Sequence, residues 1–565
     1  MKIKILFVIL FLTVSIAAQQ PDRPAIQYID SLMNNSYKNN APGAVVLVAV
    51  NGKPIFRKAY GMANMELSVP NKPEDIFAVG SMSKQFTAVC ILKLAQEGKL
   101  SLGDDIKKYL PDYNTHGRTI TVENLLTHTS GITSYTEKKD FMKKLMTDYS
   151  KNEMEKFFMD DSLLFEPGSN WSYSNSNYFL AALIVEKISG IPFEKYLKEN
   201  VLEPAGMKHT YFLTHDSVIT GLVNGYDKLG DDKYRDAIYL SYNWTFGAGE
   251  LASCADDLLK WDEALYTNKI VDQKWLRKAW TSFVLPDGNK TNYGFGWAIG
   301  NYKNTEIIRH GGAINGFLSD AIRIPSKHVF SVVLSNYTGV APGKINEKIA
   351  LEAAGIPLEE PAAVAVPEDE LKKYSGVFEL NREGGRITKN MSEDKFYRYI
   401  TVKNDTLYSQ NTGSQELKLT YCGKDLFAFG NTDSFLKFKK NAQGKIISLV
   451  AYSVPTNYGP YDIEEKTDLP LPGEKKEIKL TTIQLEKYTG TYDFGGGFSL
   501  KIFLKEDKIF GQATGQGPVE LYPESETRFF LKVVDASIDF EFNGSGKITG
   551  LILHQEGDYK AKKTE

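Results

Sequence analysis

The chain has 565 residues, of which 42% are hydrophobic, 24% charged and 12% aromatic. These ordinary globular values exclude a disordered, fibrous or multi-span membrane protein. The 67 Lys and Arg residues nearly balance 70 Asp and Glu residues, so the formal charge of -3 gives no electrostatic basis for binding nucleic acid or an anionic bilayer. Three scattered cysteines and seven histidines lack metal-binding spacing, so we expect no disulfide framework, metal or cofactor.

The N-terminus predicts a secretory signal peptide over residues 1–18. Lys2 and Lys4 precede an apolar run over residues 5–16, and small residues follow up to Ala17 and Ala18, after either of which cleavage is expected. The apolar run is too short to span a membrane comfortably. We therefore expect a secreted or periplasmic protein without stable membrane insertion after cleavage, with a membrane anchor as the alternative.

The segment that follows, residues 22–356, predicts one domain in which helices surround an antiparallel sheet. An apolar run over residues 44–50 indicates a buried strand, and the Asn51-Gly52 pair after it predicts a hairpin to a second strand. The remaining predicted elements are helices over residues 81–97 and 177–187, each ended by a glycine, and a strand over residues 329–334.

The rest of the chain predicts a duplicated β domain. The hexapeptide at residues 371–376 recurs in similar form at residues 485–490, and ten further identities recur at a constant offset of 102 residues. Alternating apolar residues and Asn-Gly or Gly-Lys turns indicate two small all-β, barrel-like domains. The predicted boundaries are a linker at 357–367, the first repeat at 368–454, a proline-rich linker at 455–480 and the second repeat at 481–565.

A candidate nucleophile lies in a Ser-x-x-Lys motif formed by Ser81 and Lys84 at the start of the first predicted helix. Residues three apart share a helix face, so Lys84 is expected beside the Ser81 oxygen, where it could take the hydroxyl proton. Free N–H groups in the first turn also favour a developing negative charge. The spacing alone is weak, because it recurs at residues 392–395 and 434–437, where we expect solvated faces.

Two further motifs follow. Tyr173 and Asn175 belong to a Tyr-Ser-Asn sequence that comes after a Pro-Gly turn and before a helix, in a loop that could present the phenol. His310 and Gly312 belong to a His-Gly-Gly sequence after residues 306–309, a predicted strand end, and its glycines would let the backbone approach a ligand. Taken alone, this third motif favours a turn with an incidental histidine.

Together and in this order, the three motifs resemble those of the penicillin-recognising serine hydrolases, which include class C β-lactamases, D,D-carboxypeptidases, D-aminopeptidases and esterases. The resemblance runs from about residue 40 to 340 and includes segments at 120–132 and 247–253. It implies a β-lactamase-like α/β (α+β) catalytic domain. It also implies site roles: Ser81 as acylated nucleophile, Lys84 as its proton acceptor, Tyr173 as partner acid/base, Asn175, His310 and Gly312 as substrate-binding residues, and the N–H groups of Ser81 and Ala313 as oxyanion hole.

The function that the resemblance implies is a secreted serine hydrolase acting through an acyl-enzyme on peptide, amide or ester substrates. The layout with two C-terminal repeats is similar to that of D-aminopeptidases. A β-lactamase is an alternative, although a mostly neutral histidine replaces the lysine with which many of those enzymes bind a carboxylate. A non-catalytic cell-wall-peptide receptor is another, which the intact Ser81, Lys84 and Tyr173 argue against. We expect a small-molecule or peptide substrate as partner, and the oligomeric state stays open.

Overall fold

The structure is a computed structural model. The residues that it describes are 23–138, 140–230, 233–356, 358, 362–380, 396–412, 414–429, 434–453, 462–473, 477–495, 498–555 and 557–564. The predicted signal peptide and the Ser-x-x-Lys motif at 392–395 lie outside these residues, as do parts of both predicted linkers. Within the described ranges, no helix is long and apolar enough to cross a membrane.

A six-stranded antiparallel sheet organises the first part of the chain. In spatial order its strands are Ala298–Tyr302, Thr305–Ile314, Phe317–Ile324, Val329–Ser335, Ala44–Val50 and Lys53–Tyr60. The predicted hairpin is confirmed: Asn51 and Gly52 both have positive φ, at 51° and 71°, as a tight two-residue turn requires. The predicted late strand is confirmed as well, and it pairs with Ala44–Val50 at the centre of the sheet.

Helices cover both faces of this sheet, which explains why its central strand is a continuous apolar run. Val46 and Val48 pack against the helices Arg23–Ser36 and Pro342–Ala353 on one face. Val45 and Leu47 belong to the main core on the other face, together with most of the helices. The predicted alternation-free strand is therefore buried on both sides.

The two longest helices of the main core match those predicted, with Ser83–Gln96 followed by Gly98 and Asn175–Ser189 capped by the left-handed Gly190. The other helices of this part are Val122–Thr127, Phe141–Lys144, Lys151–Phe158, Phe193–Leu197, Glu203–Ala205, Ala255–Ala264 and Gln273–Ala279. Short strands form three small sheets: Met62–Asn64 with Val69–Pro70, Phe77–Ala78 with Leu251–Ser253 and Tyr211–Phe212, and Tyr226–Gly230 with Lys233–Asp236.

The first repeat is a closed eight-stranded barrel that follows the short helix Glu368–Lys372. Its strands are Gly376–Glu379, Tyr397–Lys403, Thr406–Asn411, Leu417–Tyr421, Leu426–Phe429, Ser434–Lys440, Ile446–Ser453 and Asp462–Lys466. The Ser-x-x-Lys at residues 434–437 lies on a strand, where residues three apart face opposite sides. That copy of the motif therefore does not form the Ser–Lys pair.

The second repeat follows the helix Thr482–Glu486 and has the same strand order. Its strands are Gly490–Gly495, Phe498–Lys505, Lys508–Ala513, Val519–Glu520, Tyr522–Pro523, Arg528–Phe530, Ser537–Phe542, Ile548–His554 and Asp558–Lys563. The fourth strand is broken into two dipeptides, one paired with each neighbour, so the sheet is nearly closed. Pro523 has no N–H to donate, which is consistent with this break.

The two β domains bury the same positions, as a duplication predicts. Leu371, Phe427 and Phe438 are core residues of the first, and their counterparts Leu485, Phe529 and Phe540 are core residues of the second.

One predicted boundary is wrong, because the strand Asp462–Lys466 lies inside the segment predicted as a linker at 455–480. This strand pairs with the first and seventh strands and closes the first barrel. Its polar sequence concealed it: Glu464 faces inward and is buried, where Arg398 donates two hydrogen bonds to it at 2.7 and 2.8 Å.

Candidate active site

Ser81 lies at a sharp turn that leads directly into a buried helix. It is the middle residue of the 3₁₀ turn Gly80–Met82, and the helix Ser83–Gln96 follows without a break. Lys84, in the first turn of that helix, places its Nζ 3.0 Å from Ser81 Oγ. The contact expected from the three-residue spacing is therefore present.

Two glycines let the strand that carries the third motif approach this turn. Gly80 has a φ of +51°, and a Cβ on it would lie 2.9 Å from the amide nitrogen of Ala313. A Cβ on Gly312 would lie 1.9 Å from the carbonyl oxygen of Val79. Only glycine permits backbone contacts this close. The backbone of Ala313 thereby comes to lie beside the Ser81 turn.

Lys84 is completely buried, and its ammonium group contacts three oxygen atoms. Besides Ser81 Oγ, these are Asn175 Oδ1 at 2.7 Å and the carbonyl oxygen of Ala248 at 2.8 Å. Burial lowers the pKa of Lys84 well below its usual range, because the charged form loses its hydration. The neutral amine is thus favoured over a wider pH range than for an exposed lysine.

The Tyr-Ser-Asn motif spans the end of a loop and the start of the helix Asn175–Ser189, as predicted. The Asn175 amide accepts from Lys84 through Oδ1 and donates from Nδ2 to Thr136 Oγ1 at 3.2 Å, which sets its orientation. The ring centre of Tyr173 lies 4.9 Å from Lys84 Nζ. The first two motifs therefore meet at the Lys84 amine.

The third motif differs from the expectation of a strand end or turn: the strand Thr305–Ile314 continues through His310 and both glycines. His310 is buried, with Nδ1 2.6 Å from the carbonyl oxygen of Gly311 and Nε2 2.8 Å from Tyr293 Oη. This arrangement assigns the proton to Nδ1, so that the Tyr293 hydroxyl donates to Nε2. Burial, with the nearby Lys84, lowers the pKa of His310 to about 3, and the imidazole is neutral at physiological pH.

Sequence reasoning from the motifs did not assign a role to His128, which lies at the centre of the aromatic residues around the site. Its ring centre is 4.3 Å from that of Tyr173 and 4.9 Å from that of Tyr293. The backbone N–H of Ser174 and the Asn177 amide both lie near its Nδ1, at 3.2 and 3.3 Å. Burial lowers the pKa of His128 well below its usual range. The only available signal was its position in the family-like segment 120–132.

A cleft of about 370 Å³ opens at Ser81. Ser81, Asn175 and Ala313 line it, whereas Lys84 and His310 are almost fully buried. The predicted site residues thus form one cluster, with Ser81 at the cleft surface and Lys84 beneath it. The residues that form the apolar part of the wall are Tyr135, Phe141, Met142, Leu145, Leu240 and Trp244. In the part of the chain that the structure describes, no group of three or more His, Cys, Asp or Glu side chains could hold a metal ion.

Comparison with known proteins defines the class to which this fold and site belong. Residues 25–355 match the Beta-lactamase family, and residues 474–565 match a Domain of unknown function, DUF3471. Because the first match covers more than half of the chain, the protein belongs to the beta-lactamase family. This family includes serine hydrolases of the penicillin-binding and D-amino acid amidase type. The expected β-lactamase-like fold is confirmed.

Individual relatives cover this chain to different extents. Penicillin-binding protein 4* of Bacillus subtilis (strain 168) is 23% identical over 561 residues, which are 95% of this chain and 98% of the relative. The octameric penicillin-binding protein homologue from Pyrococcus abyssi has a TM-score of 0.55 and 23% identity, covering 78% of this chain and 99% of its own. The D-stereospecific amidohydrolase from Streptomyces sp. has a TM-score of 0.50 and 25% identity, covering 58% and 98%.

Proposed function

We propose that the protein is a secreted serine hydrolase that forms an acyl-enzyme at Ser81 and acts on amide, peptide or ester substrates. The observation that carries the proposal is the set of partners around the Lys84 amine. A neutral amine has two N–H bonds and one lone pair. Asn175 Oδ1 and the Ala248 carbonyl can only accept, so they take the two N–H bonds. The lone pair is left for the Ser81 hydroxyl, 3.0 Å away.

In the proposed acylation step, the Ser81 Oγ–H proton moves to Lys84 Nζ as Oγ attacks the substrate carbonyl carbon. The backbone N–H groups of Ser81 and Ala313 stabilise the oxyanion of the tetrahedral intermediate. Collapse of the intermediate breaks the bond to the leaving amine or alcohol, which takes the proton from Lys84. Tyr173 acts as the partner acid/base in this proton transfer. Water then attacks the ester carbonyl carbon and gives a proton to Lys84 Nζ. The C–Oγ bond breaks, Ser81 Oγ takes that proton, and the carboxylic acid leaves.

The remaining predicted residues support this chemistry by position. The Asn175 Nδ2 and Thr136 side chains lie at the cleft, where they can donate to a substrate carbonyl. His310 is neutral and bonded to Tyr293, so we propose that it orients the strand beside the substrate rather than pairing with a carboxylate. This supports amidase, peptidase or esterase action over a dedicated β-lactamase. The amidohydrolase named among the relatives is consistent with the choice.

A substrate panel tests the proposal: D-aminoacyl amides, nitrophenyl esters and a chromogenic cephalosporin, each assayed with wild type, Ser81→Ala and Ser434→Ala. Ser434 begins the Ser-x-x-Lys on a barrel strand, so Ser434→Ala is a matched control and should keep full activity. We expect Ser81→Ala to lose turnover of every accepted substrate, and a fluorescent phosphonate to label Ser81 alone. Retained turnover in Ser81→Ala would refute the mechanism. If wild type turns over none of the substrates and the probe does not label it, the receptor alternative is favoured.

Export is proposed from the N-terminal sequence. We expect mass spectrometry of the protein recovered outside the cytoplasm to show a chain that begins after Ala17 or Ala18. An intact N-terminus in that fraction would contradict cleavage, and recovery from the membrane fraction would favour the anchor.

A further inference from the structure

The cleft at Ser81 has an uneven distribution of charge. Of the described residues that line it, Asp227 is the only one with a full formal charge. The basic groups nearest the nucleophile, Lys84 and His310, are both buried, and their pKa values are lowered. A substrate therefore meets one carboxylate in the cleft and no exposed lysine or arginine among the described lining residues.

Asp227 is held in place, yet it keeps capacity to bind a ligand. It lies on the strand Tyr226–Gly230, and its Oδ1 accepts a hydrogen bond of 2.9 Å from Thr338 Oγ1, which also lines the cleft. Arg235 Nε lies 3.9 Å from Asp227 Oδ2, on a side chain that is 49% exposed. Such a long, exposed ion pair is weak. A ligand ammonium could displace it at small cost.

The backbone relates this carboxylate to the reacting centre. The N–H of Tyr226 donates to the carbonyl of Gly316 at 3.3 Å, and Gly316 comes three residues after Ala313, where the oxyanion hole is proposed. Asn315 and Gly316 form the turn between the strands Thr305–Ile314 and Phe317–Ile324, so Gly316 lies closer to Ala313 than the roughly 10 Å that three extended residues would span. Asp227 follows Tyr226 directly and lines the same cleft as Ser81, Ala313 and the apolar wall.

We propose that Asp227, with Thr338, is a binding site for a substrate ammonium group separated from the scissile carbonyl by an apolar chain. The proposal rests on the proposed function, because it requires Ser81 chemistry in the same cleft. The apolar part of the substrate packs against Phe141, Leu240 and Trp244 while its cationic end reaches Asp227. Substrates with a carboxylate at that position bind poorly, because they meet a like charge.

Matched substrates test this site. Two series carry a six-carbon chain ending in ammonium, methyl or carboxylate, one on the acyl side of a hydrolysable ester and one on the leaving-group side of an amide. Wild type is expected to favour ammonium over methyl and methyl over carboxylate in kcat/KM in at least one series. Asp227→Asn should lower kcat/KM roughly 10- to 100-fold for the ammonium substrate, mainly through KM, and leave the methyl substrate unchanged.

Two further variants separate ligand binding from a structural role. Arg235→Gln removes the competing cation, so it should preserve or raise the preference for the ammonium substrate. If the ion pair were structural instead, Arg235→Gln and Asp227→Asn would lose activity to the same extent. Asp236→Asn removes a carboxylate from the same hairpin, opposite Tyr226, and serves as the control. Equal rates for ammonium and methyl substrates in both series would overturn the site while Ser81 dependence stands. Turnover that survives Ser81→Ala would instead overturn the proposed function. If Asp227→Asn slows every substrate equally, Asp227 is structural and the inference is wrong.

Discussion

Replacing Lys84 with methionine tests the proposed base with little change in side-chain volume. General-base catalysis contributes about 10²- to 10⁴-fold to a rate, so we expect kcat/KM to fall by about three orders of magnitude in Lys84→Met. Lys93→Met is the matched control, because Lys93 lies on the same helix but its side chain is 21% exposed. Its ion pair with Glu97 is long, at 3.9 Å. That control should stay close to wild-type activity.

The same substitution has opposing effects on folding stability. It leaves two acceptors without their donor, the part-buried Asn175 Oδ1 and the buried Ala248 carbonyl, and the buried one alone costs about 1–3 kcal/mol. It also removes the cost of burying an amine that is protonated in the unfolded chain. Because these two effects on the free energy of unfolding oppose each other, we expect Lys84→Met to stay largely folded, which circular dichroism can verify. The loss of activity should then far exceed any loss of folded protein.

The pH dependence of stability carries the sharper signature. Burial lowers the pKa of Lys84 in the folded state, whereas in the unfolded chain it is about 10.4. Between these two values the unfolded state binds more protons, so this group makes wild-type stability rise with pH there. The cost of burying the protonated Lys84 amine is fully present below the folded-state pKa and is relieved as the pH rises towards 10.

Urea unfolding at several pH values between neutral pH and pH 10 should therefore show that the free energy of unfolding rises with pH in wild type and Lys93→Met. This rise should be absent from Lys84→Met. The acid limb of the wild-type pH–rate profile should report the same lowered pKa. If the free energy of unfolding rises with pH equally in all three proteins, the pKa of Lys84 is not lowered. Activity in Lys84→Met within tenfold of wild type would show that Lys84 is not the base.

Three further predictions concern the site and the first barrel. Tyr173→Phe and Lys84→Met should each cost orders of magnitude in kcat, and the double mutant little more than the worse single one, because both serve one proton path; additive losses would show that the residues act independently. Gly312→Ala should lower both the melting temperature and kcat, since its Cβ would lie 1.9 Å from the carbonyl oxygen of residue 79; unchanged values would mean that the turn yields readily. Arg398→Met should destabilise the first barrel by about 3–5 kcal/mol, and adding Glu464→Leu should restore much of that loss in denaturant unfolding; no recovery would argue against the pair.

The local part of the site could be predicted from the sequence, because residues three apart on a helix must share a face. Ser81 and Lys84 meet for that reason alone. Asn175 reaches the same amine from 91 residues away, a contact that no spacing rule supplies; the family resemblance placed Asn175 in the same site but only as a substrate-binding residue. Likewise, two glycines after His310 suggested a turn, whereas Gly312 serves a continuous strand that must pass close to a carbonyl of another segment.

The fold shows the same division between local and distant information. The hairpin at Asn51 follows from two adjacent residues, and the central strand from an uninterrupted apolar run. The strand Asp462–Lys466 was hidden between prolines because an inward-facing Glu464 looks solvent-exposed unless its partner is known. That partner, Arg398, is 66 residues distant. Buried ion pairs between strands therefore invert the polarity pattern on which strand prediction depends.

The electrostatics of the site depend most of all on tertiary structure. Lys84, His128 and His310 would each be basic in an unfolded chain, yet burial lowers all three pKa values, and the charge of Lys84 lowers those of both histidines further. These three groups are coupled, so a proton on Lys84 disfavours one on either imidazole. The cluster beneath Ser81 thus carries at most one positive charge at neutral pH, and it is buried. With Asp227 as the only charged group among the described residues lining the cleft, an incoming substrate meets one carboxylate there and no exposed cation. This pattern follows from burial, and it is the physical reason to expect neutral or cationic substrates where the motifs alone leave penicillin-like carboxylates open.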